Sequence, residues 1–326
     1  MIIGIAANGR LAMIAVMNAQ TNSMSGRDLL NAAARFGLLT ALALFIIGQF
    51  SANAASAEAN SLKPPAQGQI PVAFVISEGA VIIDFCGPWE VFRDVMVSSG
   101  DHPFRLYTVS DKTDPIRAGG GMKIVPDYTF ANAPAPKVIV IPAQSEPSRA
   151  MLKWIREATK NTDVTMSVCT GAFVLAKTGL LSGKSATTFH AAFGTFAMQF
   201  PDIKLKRGAR FVEDGNLASA GGLSSGIDLA LRVVERYYGR DVAQKTAYNM
   251  EYQGQGWMNA DSNQIYAAAP VSTEEHPLCP VCGMDLDVAT APKSVFKGKT
   301  YYFCSDDDKK IFDSAPDKFV DADKKL

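Results

Sequence analysis

Histidine and cysteine are scarce in this chain: three histidines and five cysteines in 326 residues. That scarcity confines nucleophile and soft-metal chemistry to a few positions. No sign of charge dominates, since 32 basic residues balance 32 acidic ones and no basic run stands out. A nucleic-acid partner is therefore not indicated. There is no internal repeat and no phosphate loop, and Gly119-Gly120-Gly121 alone is weak support for nucleotide binding. The apolar run Phe36 to Phe50 stops at 15 residues, short of the roughly 20 that a membrane span needs. What is present is apolar bulk: 48% of the residues are hydrophobic, enough for a large core and two folded units.

That short run reads as the centre of an export signal. Arg27 and Arg35 precede it, and Ala52-Asn53-Ala54 follows as a small-x-small cleavage pattern. Residues 1–54 are thus expected to be a signal peptide removed near Ala54, with Met24 as an alternative start. Loss of Arg10, Arg27, Arg35 and Asp28 would leave a nearly neutral mature chain. The expected location is periplasmic or secreted, and oxidising if the source is a Gram-negative bacterium. The alternative is an uncleaved membrane anchor, the one case in which a membrane would be a partner.

Residues 55–69, rich in Ala, Ser, Pro and Gln, read as a linker. Strand and helix signals then alternate to about residue 252. Apolar runs at 70–76, 104–110 and 137–142 read as strands, Lys123 to Pro126 as a short extended piece, and Asp84 is expected just past a strand. Pro88 is expected at the first turn of a helix. Helices are predicted over 147–160, 191–200 and Ser225 to Tyr238, with one more from Asp241. Ala186 to Phe189 reads as a brief strand, and Asp214-Gly215 as the turn of a hairpin. The alternation implies an α/β domain with a mostly parallel sheet. Its site is expected where Asp84, the 142–144 turn and Cys169 end their strands. Residues 253–275 read as a polar linker, and 276–326 as a second, small unit.

Cys169 lies between the alternating apolar strand Val164, Met166, Val168 and an apolar helical segment beginning at Ala172. Helix-terminal N–H groups at such a turn favour an anion, so a lowered thiol pKa is expected. The plainer alternative is a buried cysteine packed as a small hydrophobe.

The pieces Asp84-Phe85-Cys86-Gly87-Pro88-Trp89-Glu90, Val138-Ile139-Val140-Ile141-Pro142, Ser167-Val168-Cys169-Thr170-Gly171-Ala172 and Ser225-Gly226-Ile227-Asp228 together resemble the ThiJ/PfpI family. That family lies within the class I glutamine-amidotransferase-like superfamily. The resemblance covers residues 70–252 and is nearest the branch of isonitrile hydratases and the ligand domains of AraC-type regulators. It implies a flavodoxin-like sandwich with Cys169 on a nucleophile elbow, Asp84 as the acid/base carboxyl hydrogen-bonded to the sulfur, and Thr170 as a hydroxyl partner. The nearby thiolate should raise the Asp84 pKa. Gly87, Ala143, Gln144 and Gly171 are the implied substrate or oxyanion positions. Thr170 stands where the protease-like branch has histidine, which argues against peptidase activity. Ala143-Gln144 replaces that family's Gly-Gly, and His190 is displaced by one position from its histidine. His190 is either pocket-lining or an ordinary packed or surface side chain, since one step on a strand reverses the face. Cys86 is expected as core filler. The resemblance also implies pairing of two copies as a homodimer.

The second unit carries Cys279-Pro280-Val281-Cys282-Gly283-Met284 and Tyr301-Tyr302-Phe303-Cys304-Ser305, and resembles the YHS domain, a metal-associated module. Three thiols suit Zn²⁺ or Cu⁺. Asp308 stands where that domain usually has a further cysteine, so Asp308 or His276 would complete the site. The alternative is a Cys279–Cys282 disulfide.

Two function classes follow. One is an exported enzyme that uses Cys169 on a small molecule, with isonitrile hydration as precedent. The other is a non-catalytic ligand or metal sensor, or a thiol protein whose Cys169 is oxidised reversibly.

Overall fold

The computed structural model describes residues 61–320 apart from 98–99, 269–271, 274, 282 and 285. The expected signal peptide and Cys282 lie outside the described residues. Among the described residues no helix is long and apolar enough to cross a membrane.

The larger domain is built on one seven-stranded sheet. In chain order its strands are β1 (Ile70–Val75), β2 (Phe104–Ser110), β5 (Tyr128–Thr129), β6 (Val138–Ile141), β7 (Val164–Val168), β10 (Phe211–Asp214) and β11 (Leu217–Ala220), with the short pairs β3 (Ile116–Arg117), β4 (Lys123–Ile124) and β8 (Ser185–Ala186), β9 (Lys204–Leu205) beside it. The spatial order is β10-β11-β7-β6-β1-β2-β5. Neighbours run parallel except the β10–β11 hairpin, whose turn carries Gly215 at φ 70°. That left-handed backbone is what glycine supplies in an Asp-Gly hairpin.

The central strands are buried on both faces, which is why they read as continuous apolar runs. Ile70, Val72 and Phe74 point to one core layer, and Ala73 and Val75 to the other. Val164, Met166 and Val168 join the first layer. On the opposite face of β7, Thr165 is buried and satisfied by the hydroxyls of Thr159 and Thr162 at 3.1 and 2.9 Å.

The helices covering the sheet are α1 (Ile82–Asp94), α2 (Arg149–Ala158), α3 (Gly171–Lys177), α4 (Phe193–Gln199), α5 (Ser225–Tyr238) and α6 (Arg240–Asn249). Ser148 caps α2 by accepting from the Met151 N–H at 3.0 Å.

Three local expectations are corrected. Residues 82–84 open α1 rather than ending a strand, so Pro88 sits inside that helix. The β-branched Ile82-Ile83 pair favours a strand locally. Burial of Phe85, Pro88 and Phe92 at helical spacing overrides it. The strand expected over 186–189 is only Ser185–Ala186, and His190 opens a 3₁₀ turn, His190–Ala192, so strand alternation does not set its direction. The supposed linker folds back on the domain: Gly256–Met258 and Gln264–Tyr266 form 3₁₀ turns, Trp257 is buried in the core, and the Asn263 N–H donates to the Gly208 carbonyl.

The small unit has a β12 (Lys293–Phe296)–β13 (Lys299–Tyr302) hairpin, then α7 (Asp306–Ser314) and α8 (Asp317–Val320). Its own core gathers Cys279, Val281, Tyr301, Phe303, Phe312 and Phe319.

Candidate functional site

The chain bends sharply where β7 meets α3. Cys169 takes φ 57°, a left-handed backbone that is strained for a side chain with a Cβ. Its N–H donates to the Gly221 carbonyl at 2.9 Å, and its carbonyl accepts from the Thr188 hydroxyl at 2.9 Å. These bonds hold the strained residue from both sides. Gly171 then lets the helix start against the end of β6. A Cβ there would lie 2.2 Å from the Ile141 carbonyl oxygen, so any side chain would push the elbow off the sheet.

Cys169 is only 7% exposed. Its thiol is pushed up to about 11, first by burial and then by the charge of Asp84. The Thr170 and Leu223 N–H groups and the Thr170 hydroxyl act in the opposite direction and do not prevail. This corrects the expected lowering: one amide at the start of a seven-residue helix and one from the loop before α5 are outweighed by loss of water around the sulfur.

Asp84, in the first turn of α1, is fully buried. Its Oδ2 accepts from the Ala143 N–H at 3.1 Å, while its buried Oδ1 has no partner. Burial raises its pKa to about 7 against the pull of that hydrogen bond. The direction is the expected one, but the principal cause is desolvation rather than a neighbouring thiolate. No hydrogen bond joins this carboxyl to the Cys169 sulfur among the described residues, and the two interact through charge.

The remaining sequence-derived positions fall as follows. The Ala143 N–H is engaged by Asp84. The Gln144 side chain accepts from Ser77 and donates to the Val75 carbonyl, so it ties loops together. Gly87 lies where α1 meets α5, and a Cβ there would come within 2.9 Å of Ile227. Cys86 is partly buried against the core. His190 lines a cavity of about 150 Å³ with Thr188, Phe189, Arg210, Leu223 and Tyr266.

Two groupings escaped the reading of the sequence. Asp228, fully buried, accepts from Arg210 Nε at 2.6 Å, from the Tyr252 hydroxyl at 3.0 Å and from the Trp257 N–H at 2.9 Å. His190 stacks on Tyr266 with ring centres 4.6 Å apart. A tryptophan and a tyrosine inside a supposed linker were the available signal, because large aromatics seldom stay in solvent.

In the small unit the Cys279 and Cys304 sulfurs lie 3.3 and 3.2 Å from Asp308 Oδ2. These three ligand atoms fall within 4.8 Å of one another, and His276 is not among them. Ser305 caps α7 by accepting from the Asp308 N–H, which turns that carboxylate toward Cys304. Two thiols and a carboxylate suit Zn²⁺, whose ligands at about 2.0–2.3 Å stand about 3.3–3.8 Å apart in a tetrahedron. The donor set therefore fits a metal. The Cys279–Cys282 disulfide alternative rests on Cys282, outside the described residues.

Residues 71–236 match the DJ-1/PfpI family and residues 279–323 the YHS domain. The chain is 32% identical over 188 residues to an isonitrile hydratase of Pseudomonas putida, spanning 56% of this chain and 78% of that protein. It is 27% identical over 176 residues to the HTH-type transcriptional regulator CdhR of Pseudomonas aeruginosa, spanning 52% of this chain and 51% of the regulator. A crystal structure of a ThiJ/PfpI family protein from Pseudomonas syringae superposes with a TM-score of 0.52 at 26% identity, covering 59% of this chain and 79% of that one. The elbow, the parallel sheet and these matches agree: the chain belongs to the DJ-1/PfpI family and carries a YHS domain after it.

Proposed function

We propose that this protein is an exported enzyme whose Cys169 attacks a small electrophile, with hydration of an isonitrile to an N-substituted formamide as the nearest chemistry. The observation that carries this reading is the pairing of a strained, buried thiol with a buried carboxyl whose Oδ1 has no partner. With the carboxyl at about 7 and the thiol at about 11, the pair holds a single proton between those values. A proton so held can move from sulfur to carboxylate and on to substrate.

The step balances without an outside oxidant or reductant. The sulfur forms a bond to the terminal isonitrile carbon while its proton passes to Asp84. Asp84 returns that proton to the same carbon, giving a thioimidate. Water then adds to the carbon, the C–S bond breaks, the sulfur recovers a proton and the nitrogen takes the other. Thr170 would steady the sulfur through its hydroxyl and N–H.

The test is turnover of an isonitrile panel by wild type, Cys169→Ala and Asp84→Asn. Cys169→Ala should abolish formamide production, and Asp84→Asn should lower it by about a hundredfold or more. Equal consumption by wild type and Cys169→Ala would sink the reading. A second reading, ligand sensing without turnover, draws support from the thiol being held protonated. In the YHS domain, Cys279, Cys304 and Asp308 would hold Zn²⁺ or Cu⁺, which would tie the hairpin, the preceding loop and α7 together. Export is part of the proposal, and the mass of the mature chain in a periplasmic fraction would check cleavage near Ala54.

A further inference from the structure

The cavity of about 150 Å³ adjoins the elbow through two of its wall residues. Thr188 holds the Cys169 carbonyl, and the Leu223 N–H faces the Cys169 sulfur. A cavity of about 150 Å³ is large enough for one benzene-sized ring and little more. Its lining is rich in aromatic rings: Phe189, Phe193 and the His190–Tyr266 stack, inclined by only 22°.

Its charge is balanced. Arg210 enters the lining, but its guanidinium donates to Asp228, to the Ser224 hydroxyl at 3.1 Å and to Asn263 Oδ1 at 3.3 Å. The cation is therefore matched by a buried anion, and most of its donors are engaged. Burial also moves His190 below the ordinary imidazole range, which favours its neutral form. A ligand with a negative charge would leave water and find no unmatched cation among the lining residues; Arg207, 5.4 Å from the Phe193 ring centre, stands outside them.

Asn263 and Tyr266 come from the segment between the two family matches, which end at residue 236 and resume at 279. That part of the wall lies outside both matched ranges. We propose that this cavity seats the nitrogen substituent of the substrate as one flat, uncharged ring, and that Tyr266 determines that specificity. The proposal rests on the isonitrile reading for which end of the substrate meets Cys169.

Binding separates the two ideas. The full chain bearing Cys169→Ala would be titrated calorimetrically with N-phenylformamide, N-hexylformamide and 4-formamidobenzoate. N-phenylformamide should bind several-fold more tightly than the other two. Adding Tyr266→Ala should weaken it roughly tenfold, and Tyr266→Phe should restore it, since stacking needs the ring and not the hydroxyl. Tyr266 is 41% exposed, so its truncation leaves the core intact. Unchanged affinity in Tyr266→Ala, or equal affinity for the three probes, overturns the proposal. Ring-selective binding through Tyr266 without isonitrile turnover by wild type would defeat the reaction and keep the pocket. Turnover indifferent to both ring and Tyr266 would do the reverse.

Discussion

Asp84 carries the clearest residue-scale consequences. Its pKa near 7 implies that the one-proton form of the Asp84–Cys169 pair fills in as pH rises through that value. The rate of isonitrile consumption should therefore climb through about pH 7 and level off well below 11, which a pH–rate profile would reveal. The same carboxyl bears on stability. A raised carboxyl pKa means the folded chain holds the proton more tightly than the unfolded one. Stability linked to that proton is complete below the ordinary 3.8 and is lost as pH rises through about 7. Asp84→Asn stays neutral throughout. It should match wild type near pH 4 and exceed it at pH 8 by up to about 4 kcal/mol, read from urea denaturation at the two pH values. Gly171→Ala acts in the other direction. Its methyl would strike the Ile141 carbonyl oxygen, so a loss of about 1–3 kcal/mol is expected, together with loss of turnover from a displaced elbow.

At the scale of elements, the segment after α6 docks around a buried ion pair of the domain, Arg210–Asp228. Arg210 follows the β8–β9 region and Asp228 lies in the first turn of α5, while Tyr252 and Trp257 bring in the following chain. Arg210→Met would leave Asp228 buried without its cation. A destabilisation of about 3–5 kcal/mol is expected in denaturant titration, with Trp257 fluorescence moving to longer wavelength if the segment lifts. Helix α1 shows how such packing decides an element. Ile82 and Ile83 favour extended backbone, yet Gly87 lets α1 approach Ile227 of α5 closely and the buried helical face prevails.

For the whole molecule, the YHS domain is the part for which a bound ion would matter most. Among the described residues its core is six buried side chains, Phe312 included, and units of this size commonly rely on a metal or a cross-link. Zinc added to reduced protein should bind at one equivalent and raise the melting temperature of this unit, since an ion that binds only the folded form stabilises it by mass action. Cys304→Ser and Asp308→Ala should each weaken zinc binding. Atomic absorption showing no metal after reconstitution would contradict the assignment of Cys279, Cys304 and Asp308.

Much of this protein was legible in its order of residues, because the forces involved are local or periodic. Buried strands announce themselves as apolar runs, Asp-Gly marks the β10–β11 hairpin, and Gly239 marks the end of α5 at φ 84°. The motif around Cys169 and the paired thiols pointed to the two domains now matched. Other features depended on which surfaces meet. The Cys169 thiol is pushed up rather than down because neighbouring elements exclude water from it, and Asp84 moves toward neutrality for the same reason. Residues 256–266 fold onto the domain, and Asn263 and Tyr266 line the cavity, because Trp257 and Tyr266 found partners distant in the chain. Hydrophobic pattern and turn chemistry act over a few residues and can be read in order, whereas desolvation and side-chain pairing are properties of the assembled interior.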